Sequence, residues 1–201
     1  MVRDLLEAAD LQPGQRLLDY GCADQPYRSL IPAGVDYVGA DLSGNFDADL
    51  ELRPDGTVPL PDGSVDVILS TQVLEHVPQP NEYLAECFRL LRPGGTLVIS
   101  THGLMYYHRD PEDYWRWTPA GIRKVLGDQR FEIVELRGLL GLAAAALQVF
   151  QDATYWFVPR LLRRPYTLLM QGLIAFADKR YSDDLRNENS WVIAVRAVSH
   201  A

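Results

Sequence analysis

The sequence predicts a doubly wound α/β fold, in which a mostly parallel sheet carries helices on both faces. Short apolar segments alternate with helical patterns through the first two thirds of the chain. One of these helical patterns is ended by the turn sequence at residues 93–95, Pro-Gly-Gly. Strand, helix and strand in that order form the βαβ unit of a parallel sheet.

Six segments have the composition of buried strands, because each is rich in valine, isoleucine, leucine or tyrosine. They are residues 16–20, 36–41, 65–70, 95–101, 131–137 and 191–198. Between the third and fourth of these strands, apolar residues recur at helical spacing at Tyr83, Leu84, Cys87, Phe88 and Leu91. A further helix is predicted to begin at Pro119, with Thr118 as its cap.

Length and composition limit the classes of function. The chain of 201 residues is predicted to form one domain, 1–201, and its net charge of -8 argues against a nucleic-acid partner. Two cysteines without metal spacing indicate a reduced, cytoplasmic setting, and no metal site is predicted. No apolar stretch reaches the ~18 residues of a membrane span. The acids in residues 1–15 indicate an amphipathic helix and not a signal peptide.

Residues 138–181 are predicted to form a helical insert before the last strand. Three apolar segments there have helical patterns, at 139–150, 154–164 and 166–180. The insert has five basic and two acidic residues, on an otherwise acidic chain. Three roles stay open for it: a lid over the substrate pocket, a dimer surface, or an interfacial element that contacts anionic lipid.

The segment GCADQPYR, residues 21–28, follows the first strand at the edge where open α/β sheets bind ligands. Gly21 would let the backbone approach a ligand, and Asp19 would orient the loop or accept from an ammonium group. A dinucleotide loop repeats its glycines, whereas Ala23 and Pro26 occupy two of those positions here. An NAD(P)-dependent oxidoreductase is therefore the less favoured interpretation.

Asp41 ends the second strand, 22 residues after Asp19, at the spacing of an acid that binds both hydroxyls of a ribose. A helix cap shared with Ser43 is the alternative role for Asp41. The predicted site thus has a residue to bind a ribose and no evident group to bind a phosphate. S-adenosyl-L-methionine meets this description, because it joins adenine and ribose to an amino-acid tail with a positive sulfonium.

Five motifs, in order, resemble the class I S-adenosylmethionine-dependent methyltransferases, in particular small bacterial members with a methyltransferase-11-like core. They are LLDYGCADQPYR, YVGADLS, DADLE, LPDGSVDVILSTQVLEHV and FRLLRPGGTLVIST. The resemblance covers residues 14–137 and continues in the last strand. It implies a Rossmann-like, mostly parallel seven-stranded sheet, S-adenosyl-L-methionine as cofactor and S-adenosyl-L-homocysteine as product.

The resemblance also implies which residues bind the cofactor, in three groups at the ends of the strands predicted at 16–20, 36–41 and 65–70. The groups would line the methionine tail, bind ribose and adenine, and close the site below the sulfonium. They are Asp19, Gly21 and Cys22; then Asp41, Leu42, Asp49 and Leu50; then Ser70, Thr71 and Gln72. Asp41 would bind the ribose and Leu42 would pack on the adenine. Asp47 is the alternative to Asp49 near the adenine amino group, and Ala23 replaces a glycine usual in the family.

The segment 102–121 follows the strand predicted at 95–101 and is rich in aromatic and charged residues, which suits the wall of a substrate pocket. A subset of the resembled family has a histidine followed by P-x-D-Y-W-R-F/W-T, matched here by His108 and residues 111–118. His108 is the candidate general base, since histidine titrates near neutrality, and Asp113 would orient it or bind substrate. The alternative is that Trp115, Arg116 and Trp117 serve only as scaffold. His76 is interpreted as a structural residue.

These observations predict an S-adenosylmethionine-dependent methyltransferase that acts on a small or lipid-linked acceptor, with oxygen as the preferred acceptor atom. The alternative is a non-catalytic Rossmann-like module that binds a partner through residues 138–181. The same residues are predicted to contact a membrane peripherally or to form a homodimer.

Overall fold

One seven-stranded sheet organises the chain, and the computed structural model describes residues 1–109 and 112–200. The strands are β1 (Arg16–Tyr20), β2 (Asp36–Asp41), β3 (Leu50–Glu51), β4 (Val65–Thr71), β5 (Leu91–His102), β6 (Phe131–Gly141) and β7 (Ser190–Ser199). Their order is β3-β2-β1-β4-β5-β7-β6. The pairs among β1 to β5 are parallel, whereas β7 runs antiparallel to β5 and β6. The predicted fold class is confirmed.

Both faces of the central strands are buried, which explains their nearly continuous apolar sequences. Leu18 and Ile68 pack on one face, and their neighbours Leu17 and Val67 pack on the other. The first face is covered by α2 (Pro80–Leu90) and α3 (Pro119–Asp128), and the second by α1 (Val2–Glu7). The predicted cap of α3 is present, because Thr118 Oγ1 accepts a hydrogen bond from Gly121 N at 3.0 Å.

Several predicted boundaries are wrong. Leu91, assigned to a helix from its spacing, begins β5, because α2 ends at Leu90. The short strand β3 was not predicted as a strand, since two residues carry no periodicity. The loop after β1 enters no α-helix but a single 3-10 turn at residues 28–30. The loop therefore has no α-helix N-terminus of the kind that binds pyrophosphate in a dinucleotide site.

The insert begins later than the sequence predicts. Residues 138–141 belong to β6, because they continue its pairing with β7. The helices of the insert are α4 (Leu142–Thr154) and α5 (Arg163–Asp178), and α6 (Asp183–Glu188) follows the insert before β7. The segment expected to be a middle helix forms two 3-10 turns, at 155–157 and 160–162, separated by Pro159. Proline has no amide hydrogen, so it interrupts helical hydrogen bonding there.

The insert emerges at the ligand-binding edge of the sheet. Gly141 pairs with Ser190, and Val192 pairs with His102 at the carboxyl end of β5. Beyond the insert, α6 brings the chain back to β6, where Gly138 N donates to Asn187 Oδ1 at 2.7 Å. In the described parts of the chain, every helix is too short or too polar to cross a membrane.

Candidate cofactor and acceptor site

The residues predicted to bind the cofactor lie at one edge of the sheet. The strand order reverses between β1 and β4, and β2 and β3 follow on the other side of β1. Asp19 is in register with Gly39 of β2 and Leu69 of β4, so the three loops that follow these strands are neighbours. The carboxyl ends of strands at such a reversal form the ligand crevice of a doubly wound sheet.

The loop after β1 has a backbone that few residue types adopt. Gly21, Ala23 and Gln25 have φ angles of 81°, 46° and 55°. A Cβ on Gly21 would lie 2.5 Å from Val73 Cγ2, so this position also requires glycine for packing. Ala23 holds a left-handed conformation where the resembled family has glycine. The loop therefore keeps a glycine-like shape at the expense of strain at Ala23.

Asp41 connects this loop to β2. Its carboxylate accepts hydrogen bonds from Ala23 N at 2.8 Å, Asn45 Nδ2 at 2.8 Å and Leu42 N at 2.7 Å. Asn45 Nδ2 also donates to Ala23 O at 2.8 Å. The acid predicted to bind ribose thus fixes the loop conformation, and ligand hydroxyls would share or replace these contacts.

Asp19 is a buried acid whose carboxylate is only partly compensated by hydrogen bonds. Its residue is 1% exposed, and Tyr37 Oη donates to its Oδ2 at 2.7 Å. Its Oδ1 has no hydrogen-bond partner within residues 1–109 and 112–200. Burial raises the pKa of Asp19 to about 6, a shift that the Tyr37 hydrogen bond opposes and the charge of Asp41 increases. A cationic ligand group such as an ammonium would compensate this oxygen.

At the end of β4, side chains predicted to close the site connect strands and helices. Ser70 Oγ lies in the core, 2.8 Å from Tyr83 Oη. Gln72 has a φ angle of 56°, and its Nε2 donates to Ser100 Oγ at 3.0 Å. Thr71, between them, is half-buried. The side chains of Ser70 and Gln72 are thus hydrogen-bonded within the chain.

The residues predicted to contact adenine, near the end of β2, differ in how firmly their side chains are held and how exposed they are. Asp49 Oδ2 accepts from Gly39 N at 2.8 Å, so this carboxylate is tied to the sheet. Leu50 is half-buried against the main core as part of β3. Leu42 is 58% exposed and its side chain is available to cover a planar ring. Asp47, the alternative acid, is exposed.

Cys22 serves packing in this structure. Its side chain is buried and its backbone N donates to Ala40 O at 3.2 Å. Burial, with a smaller contribution from the charges of Asp41 and Asp19, raises the pKa of the Cys22 thiol to about 12. The thiol is therefore protonated at neutral pH and is a poor nucleophile.

Asp113 organises the segment predicted to form the acceptor wall. Arg116 Nη1 and Nη2 each donate to its buried carboxylate at 2.6 Å, and His108 N donates to Oδ2 at 2.7 Å. The Arg116 hydrogen bonds hold the pKa of Asp113 well below its ordinary range. Asp113 is thus an ionised anchor that positions His108 through its backbone, while the His108 residue stays exposed.

The neighbouring tryptophans have contacts that agree with the scaffold interpretation. Trp115 Nε1 donates to Val77 O at 2.8 Å, and Trp117 N donates to His102 O at 2.9 Å. These bonds fasten the segment to the ends of β4 and β5. Pro111, the first residue of the matched motif, lies outside the described residues.

Sequence reasoning missed a buried acid–histidine pair next to His108. Glu75 Oε2 accepts from Thr101 Oγ1 at 2.8 Å, and Glu75 Oε1 lies 3.0 Å from His102 Nε2 without the alignment of a hydrogen bond. The rings of His76, His102 and His108 have centroids 6.0, 6.1 and 6.2 Å apart. The sequence did contain a signal for this cluster, because Glu75 and His76 follow β4 and His102 ends β5, at the ligand edge of the sheet.

A family model described as a methyltransferase domain matches residues 1–146. The chain belongs to this family. The predicted class, S-adenosylmethionine-dependent methyltransferase, and the predicted cofactor are thereby confirmed at the level of the family.

Curated relatives agree with this assignment. A probable S-adenosylmethionine-dependent methyltransferase of Mycolicibacterium smegmatis is 52% identical over 98 residues, which are 44% of this chain and 38% of that protein. A ubiquinone biosynthesis O-methyltransferase of Cereibacter sphaeroides is 29% identical over 168 residues, which are 68% of this chain and 64% of that protein. The chain spans less than two thirds of the length of these relatives.

Solved structures share the fold. A S-adenosylmethionine-dependent methyltransferase from Aquifex aeolicus superposes with a TM-score of 0.60 at 14% identity, covering 98% of this chain and 88% of that one. At this identity the likeness shows the fold alone.

Proposed function

We propose that this methyltransferase-family chain transfers a methyl group from S-adenosyl-L-methionine to an oxygen of a small or lipid-linked acceptor. The observation that carries the proposal is the buried Asp19 Oδ1 beside the loop that begins at Gly21, an oxygen that has no hydrogen-bond partner among the described residues. A ligand with an ammonium-bearing tail neutralises this oxygen. A pyrophosphate would instead place negative charge near Asp19 and Asp41, which disfavours a dinucleotide.

In this proposal the cofactor lies across the carboxyl ends of β1, β2 and β4. Asp19 and the backbone of Gly21 and Cys22 hold the methionine tail, and Asp41 accepts hydrogen bonds from the ribose. Leu42 covers the adenine. The backbone of the remaining predicted residues completes the pocket: Asp49 and Leu50 beside the adenine, and Ser70, Thr71 and Gln72 below the sulfonium.

When bound, S-adenosyl-L-methionine supplies an electrophilic methyl group on its sulfonium sulfur. Transfer is an in-line displacement, so the chain acts mainly by aligning the acceptor and excluding water. His108 takes the proton from the acceptor hydroxyl. Asp113 stays ionised against Arg116 and positions the segment that carries His108. Oxygen is the proposed acceptor atom because the Cereibacter sphaeroides relative is named as an O-methyltransferase.

The proposed setting is the cytoplasm, without a nucleic-acid partner. Buried, unpaired Cys22 and Cys87 and the net charge of -8 support this part of the proposal. The insert is proposed as a peripheral membrane contact that serves a lipid-linked acceptor. A lid and a homodimer surface are its competing roles.

Calorimetric titration with S-adenosyl-L-homocysteine, with NADH as the control ligand, tests the cofactor. Binding of the former alone, with a dissociation constant on the order of micromolar, is the expected result (about -8 kcal/mol). Binding of NADH alone would replace the proposal with an oxidoreductase. Once an acceptor is found, His108→Ala is expected to lower turnover more than cofactor affinity, and an equally active variant would remove His108 as the base.

A non-catalytic binding module is the second candidate, and one observation favours it. The Asp41 carboxylate is engaged by Ala23 N and Asn45 Nδ2, so the ribose acid is occupied within the chain. If neither ligand binds in the titration, the loop is closed and the insert becomes the functional surface.

A further inference from the structure

The tip of the insert exposes an unusual amount of apolar surface. Trp156, Phe157 and Leu161, in the two 3-10 turns, are 73%, 86% and 90% exposed. Large side chains of α5 are exposed as well: Leu168, Leu169 and Phe176 are all more than half exposed, and we call the two sets together the insert face. Several exposed large apolar side chains in one segment are typical of an interaction site in a folded protein.

The exposed side chains of α5 form a second apolar face of that helix. Met170 and Ile174 are its buried residues, and the helix packs on α4. Leu169, Leu173 and Phe176 follow one another at spacings of four and three residues on a different side. A helix that is apolar beyond its packed face has a further apolar environment to contact.

The charges around the insert face indicate an anionic partner. Residues 138–181 contain five basic and two acidic residues, within a chain of 19 basic and 27 acidic ones. Both acids are engaged: Asp178 Oδ1 lies 3.3 Å from Arg186 Nε, and Asp152 accepts from Gln148 Nε2 at 2.9 Å. A second copy docked face to face would therefore bring the arginines of residues 138–181 together, with both acids of the same segment already engaged.

Basic side chains lie directly on the aromatic rings of this surface. The Arg163 guanidinium is 5.1 Å from the Tyr155 ring centroid and 5.0 Å from that of Trp156. The Arg180 guanidinium is 4.4 Å from the Phe176 centroid. Aromatic rings flanked by cations suit the boundary between lipid headgroups and acyl chains.

The insert is also linked, through α4, to the candidate acceptor segment. Tyr106 stacks edge-on against Trp191 at 5.6 Å, and its hydroxyl donates to Asp152 of α4 at 3.3 Å. The insert leaves β6 at the sheet edge where β5 ends. A surface that held the insert would thus lie beside the acceptor wall.

We propose that the insert face docks on the anionic surface of a lipid bilayer, with Trp156, Phe157 and Leu161 entering the interface and the arginines contacting the headgroups. This deepens the proposed function by naming its partner, and rests on it only for the acceptor that the bilayer would present. Vesicle binding needs neither cofactor nor acceptor, so it fails or succeeds independently of S-adenosyl-L-homocysteine binding.

Co-sedimentation of the full chain with vesicles tests the proposal. The chain is expected to bind phosphatidylcholine vesicles that contain about one third phosphatidylserine at least roughly tenfold more tightly than pure phosphatidylcholine, with binding weakened by salt. The combined change Trp156→Ser, Phe157→Ser and Leu161→Ser should lower partitioning at least roughly tenfold. Phe46→Ser, at a fully exposed aromatic outside the insert, is the matched control and should bind like wild type.

A second variant set separates the charge from the apolar contribution. Arg160→Gln, Arg163→Gln and Arg164→Gln together should remove the preference for phosphatidylserine, with the fold checked by circular dichroism. Equal binding to neutral and anionic vesicles would overturn the assignment of an anionic partner. Absence of vesicle binding, together with a dimer that the apolar triple variant dissociates in light scattering, would assign the face to a second copy.

Discussion

Two regions of the molecule expose opposite kinds of groups. One is the ligand edge at the ends of β1, β2 and β4, and the other is the insert between β6 and β7. At the sheet edge, backbone strain at Ala23, Gln25 and Gln72 accompanies polar side chains that are bonded within the chain. In the insert, regular helices expose large apolar side chains such as Leu169. A small-ligand site depends on fixed geometry, whereas a docking surface depends on area.

The largest expected effect is at the ligand edge, where loss of the Asp41 carboxylate should weaken cofactor binding. Asp41→Ala should weaken S-adenosyl-L-homocysteine binding about 100-fold, because two charged hydrogen bonds to ribose contribute about 3 kcal/mol. The measurement is calorimetric titration, with circular dichroism to confirm the fold. Asp47→Ala is the matched control at an exposed acid of the same loop, and should change affinity less than about threefold. Normal binding by Asp41→Ala would overturn the ribose assignment, and weakened binding by Asp47→Ala would move the adenine contact from Asp49 to Asp47.

Gly21→Ala is expected to destabilise the fold by about 3 kcal/mol, since it adds a left-handed alanine and a contact with Val73. Urea unfolding measures this change. Adding Val73→Ala should restore part of the loss, because the shorter side chain removes the close contact. A single variant as stable as wild type would show that the loop relaxes freely and that its backbone is not fixed.

Asp19→Asn should change stability and binding in opposite directions. The folded pKa of about 6 lies above the value of 3.8 for an unperturbed aspartate, so deprotonation opposes folding. The stabilising contribution of protonated Asp19 is complete below about pH 4 and is lost as pH rises through 6. At pH 8 the asparagine variant should be about 2 kcal/mol more stable than wild type while binding S-adenosyl-L-homocysteine more weakly.

The wild-type chain should show the same linkage in its ligand binding. S-adenosyl-L-homocysteine affinity should fall by up to about tenfold per pH unit below pH 6, because protonated Asp19 no longer attracts the ammonium group. Titration between pH 5 and pH 8 measures this slope, and Asp19→Asn should flatten it. A slope that the variant retains would assign the pH dependence to another group.

The smallest expected effect is in the insert. Leu169→Ala should change the free energy of unfolding by less than about 0.5 kcal/mol, because the side chain is mostly exposed. Ile174→Ala, on the buried side of the same helix, should cost about 2–4 kcal/mol and serves as the comparison. Equal losses at the two positions would mean that Leu169 already packs against protein, and the insert face would lose its basis.

Local sequence was sufficient for most of the fold. Residues 16–20 and 36–41 were predicted as strands with the bounds that the structure gives, and Thr118 caps α3 as its residue type predicts. The sequence did not predict the elements that are held only by pairing with a neighbouring strand. β3 has two residues, and β6 extends over residues 138–141 only because β7 lies beside it.

The sequence by itself determined the sheet, the loop at Gly21 as the candidate ligand loop, and the acidic body with a basic apolar insert, because these follow from periodicity, residue type and charge. Only the tertiary structure decided that Asp19 Oδ1 is buried with no partner in the part of the chain that the structure describes, that Glu75 meets His102, and that the insert face is exposed. Each of these depends on contacts between residues far apart in the chain, since burial and pairing are properties of the packed molecule.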